Sequence, residues 1–142
     1  MPSVPRISPQ EALAKMSEGY TYVDVRTEEE FAETHPAGAF NVPWQVRGAN
    51  GLEPNPDFVA LMEKLFGKDA KLVLGCRSGN RSLKAANQLV AAGFTNVIDQ
   101  RAGMIGIKGS FGETVEQGWP GAGLPTDTGA PAGRSYADLK KK

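Results

Sequence analysis

Apolar residues recur along the chain in two patterns, one typical of helices and one typical of strands, and segments of the two kinds alternate. Helical spacing, with capping residues at the start or glycine at the end, predicts helices over residues 8–18, 55–67 and 82–92. A second capping pattern, Thr27 to Glu30, predicts a short helix. Short β-rich runs predict strands over residues 21–25, 38–42, 71–75 and 96–99. Because such strands need helical crossovers, we expect an α/β fold with a mostly parallel sheet and helices on both faces.

Three segments depart from this alternation. Residues 44–54 are predicted to form a loop. Phe111, Val115 and Trp119 lie at helix-like spacing within residues 103–125, which predicts either an extra helix beside a site or an extension of the core. The tail, residues 126–142, is small and polar and ends in three lysines, so we expect it to be poorly ordered, with one helical turn at most. These features predict a single domain over residues 1–125, followed by the tail.

Composition narrows the classes of function. The chain has 142 residues, 40% of them hydrophobic, which suits one domain with one core. Sixteen basic and sixteen acidic side chains give a formal net charge of zero, so no overall field attracts nucleic acid or an anionic membrane. No stretch approaches the roughly 20 apolar residues of a membrane span or has a signal-peptide core. We expect a cytoplasmic protein without nucleic-acid or membrane partners.

The only cysteine marks the candidate chemistry. Cys76 ends the apolar run in LVLGCRSGNRS, at the carboxyl end of a predicted strand, where parallel sheets place their sites. A free thiol, with an ordinary pKa of about 8.5, reacts as the thiolate. Gly79 allows the backbone to curl, a helix begins after the loop, and Arg77 and Arg81 add positive charge, all of which favour an anion. The alternative is a buried structural cysteine.

The loop CRSGNRS resembles the active-site loop of rhodanese-type sulfurtransferases. Three further segments resemble motifs of the same family in the same order: YVDVRTEEEF with HPAGAFNVP, GFTNVIDQRAGM, and a final GLP. The resemblance covers residues 8 to about 125 and is closest to single-domain members. It implies a five-stranded rhodanese-like fold and sulfur transfer from thiosulfate or a related donor to a thiophilic acceptor, such as cyanide, a thiol or an acceptor protein. It implies no metal and no organic cofactor.

The resemblance also implies roles for individual residues. Cys76 would attack the outer sulfur of the donor and carry the sulfur as a persulfide, stabilised by the loop amides. Arg77 would either receive the oxyanion end of the donor or be a solvated charge. Arg81 is expected to hold the loop by pairing with Asp24, with Arg26 close by. Asp24 and Arg26 are expected to have architectural roles. The loop residues expected to brace its backbone through side-chain hydrogen bonds are Ser78, Asn80 and Ser82.

Two other readings stay open. Cysteine-dependent phosphatases and arsenate reductases share the architecture, but four residues separate Cys76 from Arg81 and the phosphatase loop is one residue longer. The smaller ring suits a sulfane sulfur better than a tetrahedral anion. His35, the only histidine, has no visible partner for base catalysis and is expected to be structural. The second alternative is a module that binds partners or relays persulfide without turnover, although such a module has no need for an intact cysteine loop.

Overall fold

The computed structural model describes residues 4–141 and shows an α/β fold. The strands in chain order are β1 (Arg6–Ile7), β2 (Thr21–Asp24), β3 (His35–Pro36), β4 (Phe40–Asn41), β5 (Gln45–Gly48), β6 (Gly51–Pro54), β7 (Leu72–Gly75), β8 (Val97–Gln100), β9 (Ile107–Lys108), β10 (Thr114–Glu116) and β11 (Thr126–Asp127). Five of them form one sheet in the order β1, β8, β7, β2, β4, and every pairing in that sheet is parallel. The predicted parallel α/β sheet is therefore confirmed.

The helices are α1 (Pro9–Ser17), α2 (Glu28–Glu33), α3 (Phe58–Phe66), α4 (Asn80–Ala91) and α5 (Tyr136–Leu139). Two of the helices, α1 and α2, begin where the sequence places capping boxes. Ser8 and Glu11 form a complete capping box at α1, and Thr27 and Glu30 form another at α2. Each box satisfies backbone N–H groups that the first helical turn leaves without partners.

Alternate residues of the central strands face two separate apolar layers. Val23 and Leu74 pack with buried residues of α3, α4 and α5 on one face, and Tyr22 and Val73 pack with α1 and α2 on the other. This alternation follows from the period of two in a β-strand. Both faces of the sheet are thus covered, which leaves the strand ends as the accessible part of the sheet.

Two predicted segments have a different structure from the one expected. Residues 44–54, predicted as a loop, contain the antiparallel pair β5 and β6. Residues 103–125 form no helix in the described structure; β9 and β10 form a second antiparallel pair instead. Phe111 and Val115 are 96% and 66% exposed, whereas Trp119 is fully buried and its Nε1 donates to the carbonyl of Pro125 at 2.6 Å. Helix-like spacing misled here because it arose from a hairpin that presents two of the three side chains to solvent.

The C-terminal tail also differs from the expectation of poor order. Within the described part of the tail, β11 pairs antiparallel with β3, and α5 begins at a Ser135 cap. Tyr136 and Leu139 are buried in the core layer that contains α3 and α4. The helical turn expected in SYADL is present, and two of its side chains are buried in the core.

Candidate active site

The sulfur of Cys76 lies at the base of a loop that joins β7 to α4. The backbone N–H groups of Gly79 and Ser82 donate to Sγ, at 3.1 Å and 3.3 Å. The cysteine is 2% exposed, so these two amides act in a largely dry environment. Two N–H dipoles and the start of a 12-residue helix converge on one sulfur atom. The arrangement favours negative charge at that atom.

Neighbouring backbone fixes the shape of the loop from outside. The N–H groups of Met104 and Ile105 donate to the carbonyls of Cys76 and Arg77, at 3.0 Å and 2.9 Å. Gly103 has a φ of +63°, and a side chain there would collide with both carbonyls. Gly79 caps α4 with a φ of +89°, and a Cβ there would collide with the carbonyl of Arg101. Glycine is required at both positions for the amides to reach Sγ.

Arg81 does not pair with Asp24, and the predicted pairing is wrong. The Arg81 guanidinium instead makes a bidentate ion pair with Glu30 of α2, at 2.8 Å and 2.9 Å. Partial burial tends to raise the pKa of Glu30, but hydrogen bonds from Arg81 and from Thr27 outweigh it and hold that pKa at about 2. Arg81 thus links the first turn of α4 to the capping box of α2.

Asp24 is paired with Arg26, its neighbour two residues along the chain. Arg26 donates to both carboxylate oxygens, with the shortest contact at 2.6 Å from Nη2 to Oδ2, and it also donates to the carbonyl of Thr34. Burial acts to lower the pKa of Arg26, but the charge of Asp24 and its hydrogen bonds keep that pKa above its ordinary value. Asn41 donates to the carbonyls of both residues. This cluster joins the ends of β2 and β4.

Arg77 is exposed and lines a cleft beside the loop. The cleft has a volume of about 350 Å³ and is lined by Arg26, Glu30, Glu33, Thr34, Arg77, Met104, Ile105 and Pro120. Of the two arginines in this lining, Arg26 is buried against Asp24 and Arg77 is exposed. The structure therefore brings Arg77, Arg81 and Arg26 to the same end of the sheet as Cys76.

The side chains expected to brace the loop do so only in part. Ser82 Oγ lies 3.4 Å from the carbonyl of Gly79, as expected. Within residues 4–141, no side-chain hydrogen bond is found for Ser78 or Asn80, so the expectation fails for these two. His35 is fully buried and donates from Nδ1 to the carbonyl of Phe31 at 2.7 Å. Its imidazole also stacks on the phenyl ring of Phe31. These contacts are those of a structural histidine.

Sequence reasoning missed two charged residues behind the loop. Asp99, at the end of β8, is fully buried and accepts a hydrogen bond from Ser82 Oγ. Arg6 of β1 donates from Nε to Asp99 at 2.8 Å and from Nη2 to the carbonyl of Gly79 at 3.2 Å. The signal for Asp99 was present, because a carboxylate ends the strand next to that of Cys76. No comparable signal marked Arg6, because a strand of two residues has no detectable period.

Comparison with known proteins identifies the family. The model of the rhodanese-like domain matches residues 8–109. Thiosulfate sulfurtransferase 16, chloroplastic, of Arabidopsis thaliana is 44% identical over 108 residues, which are 76% of this chain and 80% of that protein. Thiosulfate sulfurtransferase GlpE of Haemophilus influenzae is 31% identical over 89% of this chain and 97% of its own length. The chain belongs to the rhodanese-like domain family.

A solved structure has a similar fold. The crystal structure of Rv0390 from M. tuberculosis superposes with a TM-score of 0.74 at 28% identity, over 90% of this chain and all of that one. The chain spans about half the length of some other curated relatives that it matches. Within residues 4–141, no helix is long and apolar enough to cross a membrane. A cytoplasmic location stays a prediction, and the name of one relative places that relative in the chloroplast.

Proposed function

We propose that this protein is a sulfurtransferase that carries a sulfane sulfur as a persulfide on Cys76. The observation that carries the proposal is the convergence of two backbone N–H groups on Sγ, inside a loop whose carbonyls are fixed from outside. Fixed dipoles of this kind stabilise an anion without reorganising during the reaction. The same two donors would serve the thiolate before transfer and the terminal sulfur of the persulfide after it.

The first half-reaction uses a thiosulfate-type donor. The Cys76 thiolate attacks the outer sulfur, the sulfur–sulfur bond of the donor breaks, and sulfite leaves with the bonding pair. Arg77, exposed in the lining of the neighbouring cleft, would receive the oxyanion end of the donor. Two relatives named thiosulfate sulfurtransferase support this choice of donor.

The second half-reaction returns the enzyme to its starting state. A thiophilic acceptor, such as cyanide, a thiol or an acceptor protein, attacks the outer sulfur, and the Cys76 thiolate leaves. Neither half-reaction requires a metal or an organic cofactor, because the sulfur atom itself changes bonds. The four residues between Cys76 and Arg81 make a tighter ring than a phosphatase loop, which supports sulfur over phosphate or arsenate as the transferred centre.

Thiocyanate formation from thiosulfate and cyanide tests the proposal. The wild-type protein should turn over with double-displacement kinetics, in which neither substrate changes the ratio of KM to kcat for the other. Cys76→Ser should form no thiocyanate while keeping its melting temperature, since serine fits the same space. Activity in Cys76→Ser would rule out the covalent mechanism. A wild-type protein that takes up sulfur once but does not turn over would point to a relay module instead.

A further inference from the structure

A continuous line of hydrogen bonds connects Cys76 to the buried carboxylate of Asp99. The Cys76 thiol donates to Ser82 Oγ at 3.4 Å, and Ser82 Oγ donates to Asp99 Oδ1. The other oxygen of Asp99 accepts from Arg6 Nε at 2.8 Å. The chain of polar groups behind the sulfur therefore begins directly after β7 and continues through Ser82 of α4 and Asp99 of β8 to Arg6 of β1.

The directions of these hydrogen bonds follow from the number of protons available. A serine hydroxyl has one proton to donate, and an ionised carboxylate can only accept. While Asp99 is ionised, the Ser82 proton points to Asp99, so Ser82 offers only a lone pair to Cys76. In this state Ser82 stabilises the thiol, whereas the N–H groups of Gly79 and Ser82 stabilise the thiolate. If the thiol proton moves along the chain, Ser82 also becomes a donor to the sulfur, and all three contacts then stabilise the thiolate.

We propose that Asp99 takes up the proton of the Cys76 thiol through Ser82, so that the thiolate forms together with a neutral Asp99. The S–H bond breaks, its electron pair stays on sulfur, and its proton passes to Ser82 Oγ. The original hydroxyl proton of Ser82 passes at the same time to Asp99 Oδ1. Ser82 then donates to the thiolate and accepts from the carboxylic acid. Asp99 acts through Ser82 and is therefore a positioning residue.

The surroundings of Asp99 suit a carboxylate that accepts a proton. Asp99 is fully buried, and this burial raises its pKa above the ordinary value against the opposing hydrogen bonds from Ser82 and Arg6. Tyr22 and Arg81 also lie within electrostatic range of Cys76. Burial raises the pKa of Tyr22 far above its usual range, so it stays a neutral hydroxyl, and Arg81 is held by Glu30. Neither of these groups can take the thiol proton near neutral pH.

The inference rests on Cys76 as the nucleophile of the proposed function, but its test needs no sulfur donor. The rate of alkylation of Cys76 by iodoacetamide between pH 5 and 9 follows thiolate formation, and a failed relay would leave sulfur transfer itself measurable. Asp99→Asn cannot accept the proton, so its pH profile should move to higher pH and its rate at pH 7 should fall about tenfold. Simple electrostatics predicts the opposite, because removing a negative charge near sulfur favours the thiolate.

Ser82→Ala interrupts the same chain and should shift the profile in the same direction as Asp99→Asn. The double variant should shift it no further, because both changes break one path. Circular dichroism verifies that each variant is folded. Profiles that coincide with the wild type, faster alkylation in Asp99→Asn, or additive shifts in the double variant would overturn the relay.

Arg6→Met provides a test that does not alter the relay itself. Arg6 contacts the Asp99 carboxylate directly but approaches the loop only at the carbonyl of Gly79. Its loss should destabilise ionised Asp99 more than the thiolate, so alkylation at pH 6 should become about threefold faster. Arg101→Met is the matched control, since Arg101 pairs with Glu116 and not with Asp99, and its profile should equal that of the wild type. Slower or unchanged alkylation in Arg6→Met would contradict the proposal.

Discussion

Replacing Arg81 by alanine removes the ion pair that joins α4 to α2 beside the cysteine loop. Both carboxylate oxygens of Glu30 lose their guanidinium donor, and the side chains involved are only 19% and 26% exposed. Water therefore cannot fully replace the lost contacts. We expect a loss of stability together with a fall in kcat, because the first turn of α4 carries the Ser82 amide that contacts the sulfur.

The pKa of Glu30 sets the scale of this loss. A pKa of about 2, against an ordinary 4.5, corresponds to about 3 kcal/mol of preference for the ionised carboxylate in the folded protein. Thr27 supplies part of that preference through the capping box, and partial exposure weakens the rest. We therefore assign about 1.5 kcal/mol to the coupling between Arg81 and Glu30, and about 2 kcal/mol to the total effect of Arg81→Ala on unfolding.

A double-mutant cycle measured by urea unfolding tests these values. The cycle combines Arg81→Ala with Glu30→Ala at pH 7, where Glu30 is ionised in both the folded and unfolded states. The pair Arg47 and Glu29 is the control, because its atoms are 3.7 Å apart and both side chains are about two-thirds exposed at 69% and 65%. The control cycle should show coupling below about 0.5 kcal/mol. Additive effects of Arg81 and Glu30 would refute the assignment of the pair.

The ion pair between Arg81 and Glu30 also predicts how the free energy of unfolding depends on pH. The pKa of Glu30 is lower in the folded state, so its contribution to stability is complete above about pH 5 and is lost as the pH falls toward 2. The difference in unfolding free energy between wild type and Glu30→Gln should therefore shrink over this range. A difference that stays constant from pH 5 to pH 2 would show that Glu30 is not stabilised as a carboxylate.

Two further predictions concern the rim and the size of the loop. Arg77→Ala should raise KM for thiosulfate about fivefold, which corresponds to about 1 kcal/mol for a partly solvated contact. It should also weaken the salt dependence of kcat/KM and leave the melting temperature unchanged. An unaltered KM would leave Arg77 without a role in donor binding. One glycine inserted after Gly79 should widen the ring and depress persulfide formation, and undiminished activity with thiosulfate would show that loop length does not control specificity.

Local signals in the sequence predicted the parts of the structure that depend on neighbouring residues. The capping boxes at Ser8 and Thr27 require only residues three apart, and both helices begin where these boxes place them. Cys76 was located because an apolar strand ends there and a glycine and two arginines follow. The carboxyl ends of parallel strands lie at a common edge of the sheet, so the sequence was sufficient to place the cysteine at that edge.

The misassigned contacts involve long side chains and nonlocal pairing. Arg81 reaches across to α2, and no sequence pattern distinguishes Glu30 from Asp24 as its partner, because both carboxylates lie at the same end of the sheet. The sequence also left residues 103–125 open between helix and core, and the hairpin formed there depends on the pairing of β9 with β10. Strand pairing of this kind is decided by tertiary contacts that a single sequence does not display.

The mass of the intact protein after incubation with thiosulfate tests most directly whether Cys76 carries the transferred sulfur. We expect the wild-type protein to gain about 32 Da, the mass of one sulfur atom as a persulfide, and to lose this increment on addition of cyanide. Cys76→Ser should gain nothing under the same conditions. A wild-type protein that keeps its original mass, or an equal gain in Cys76→Ser, would contradict persulfide transfer through Cys76.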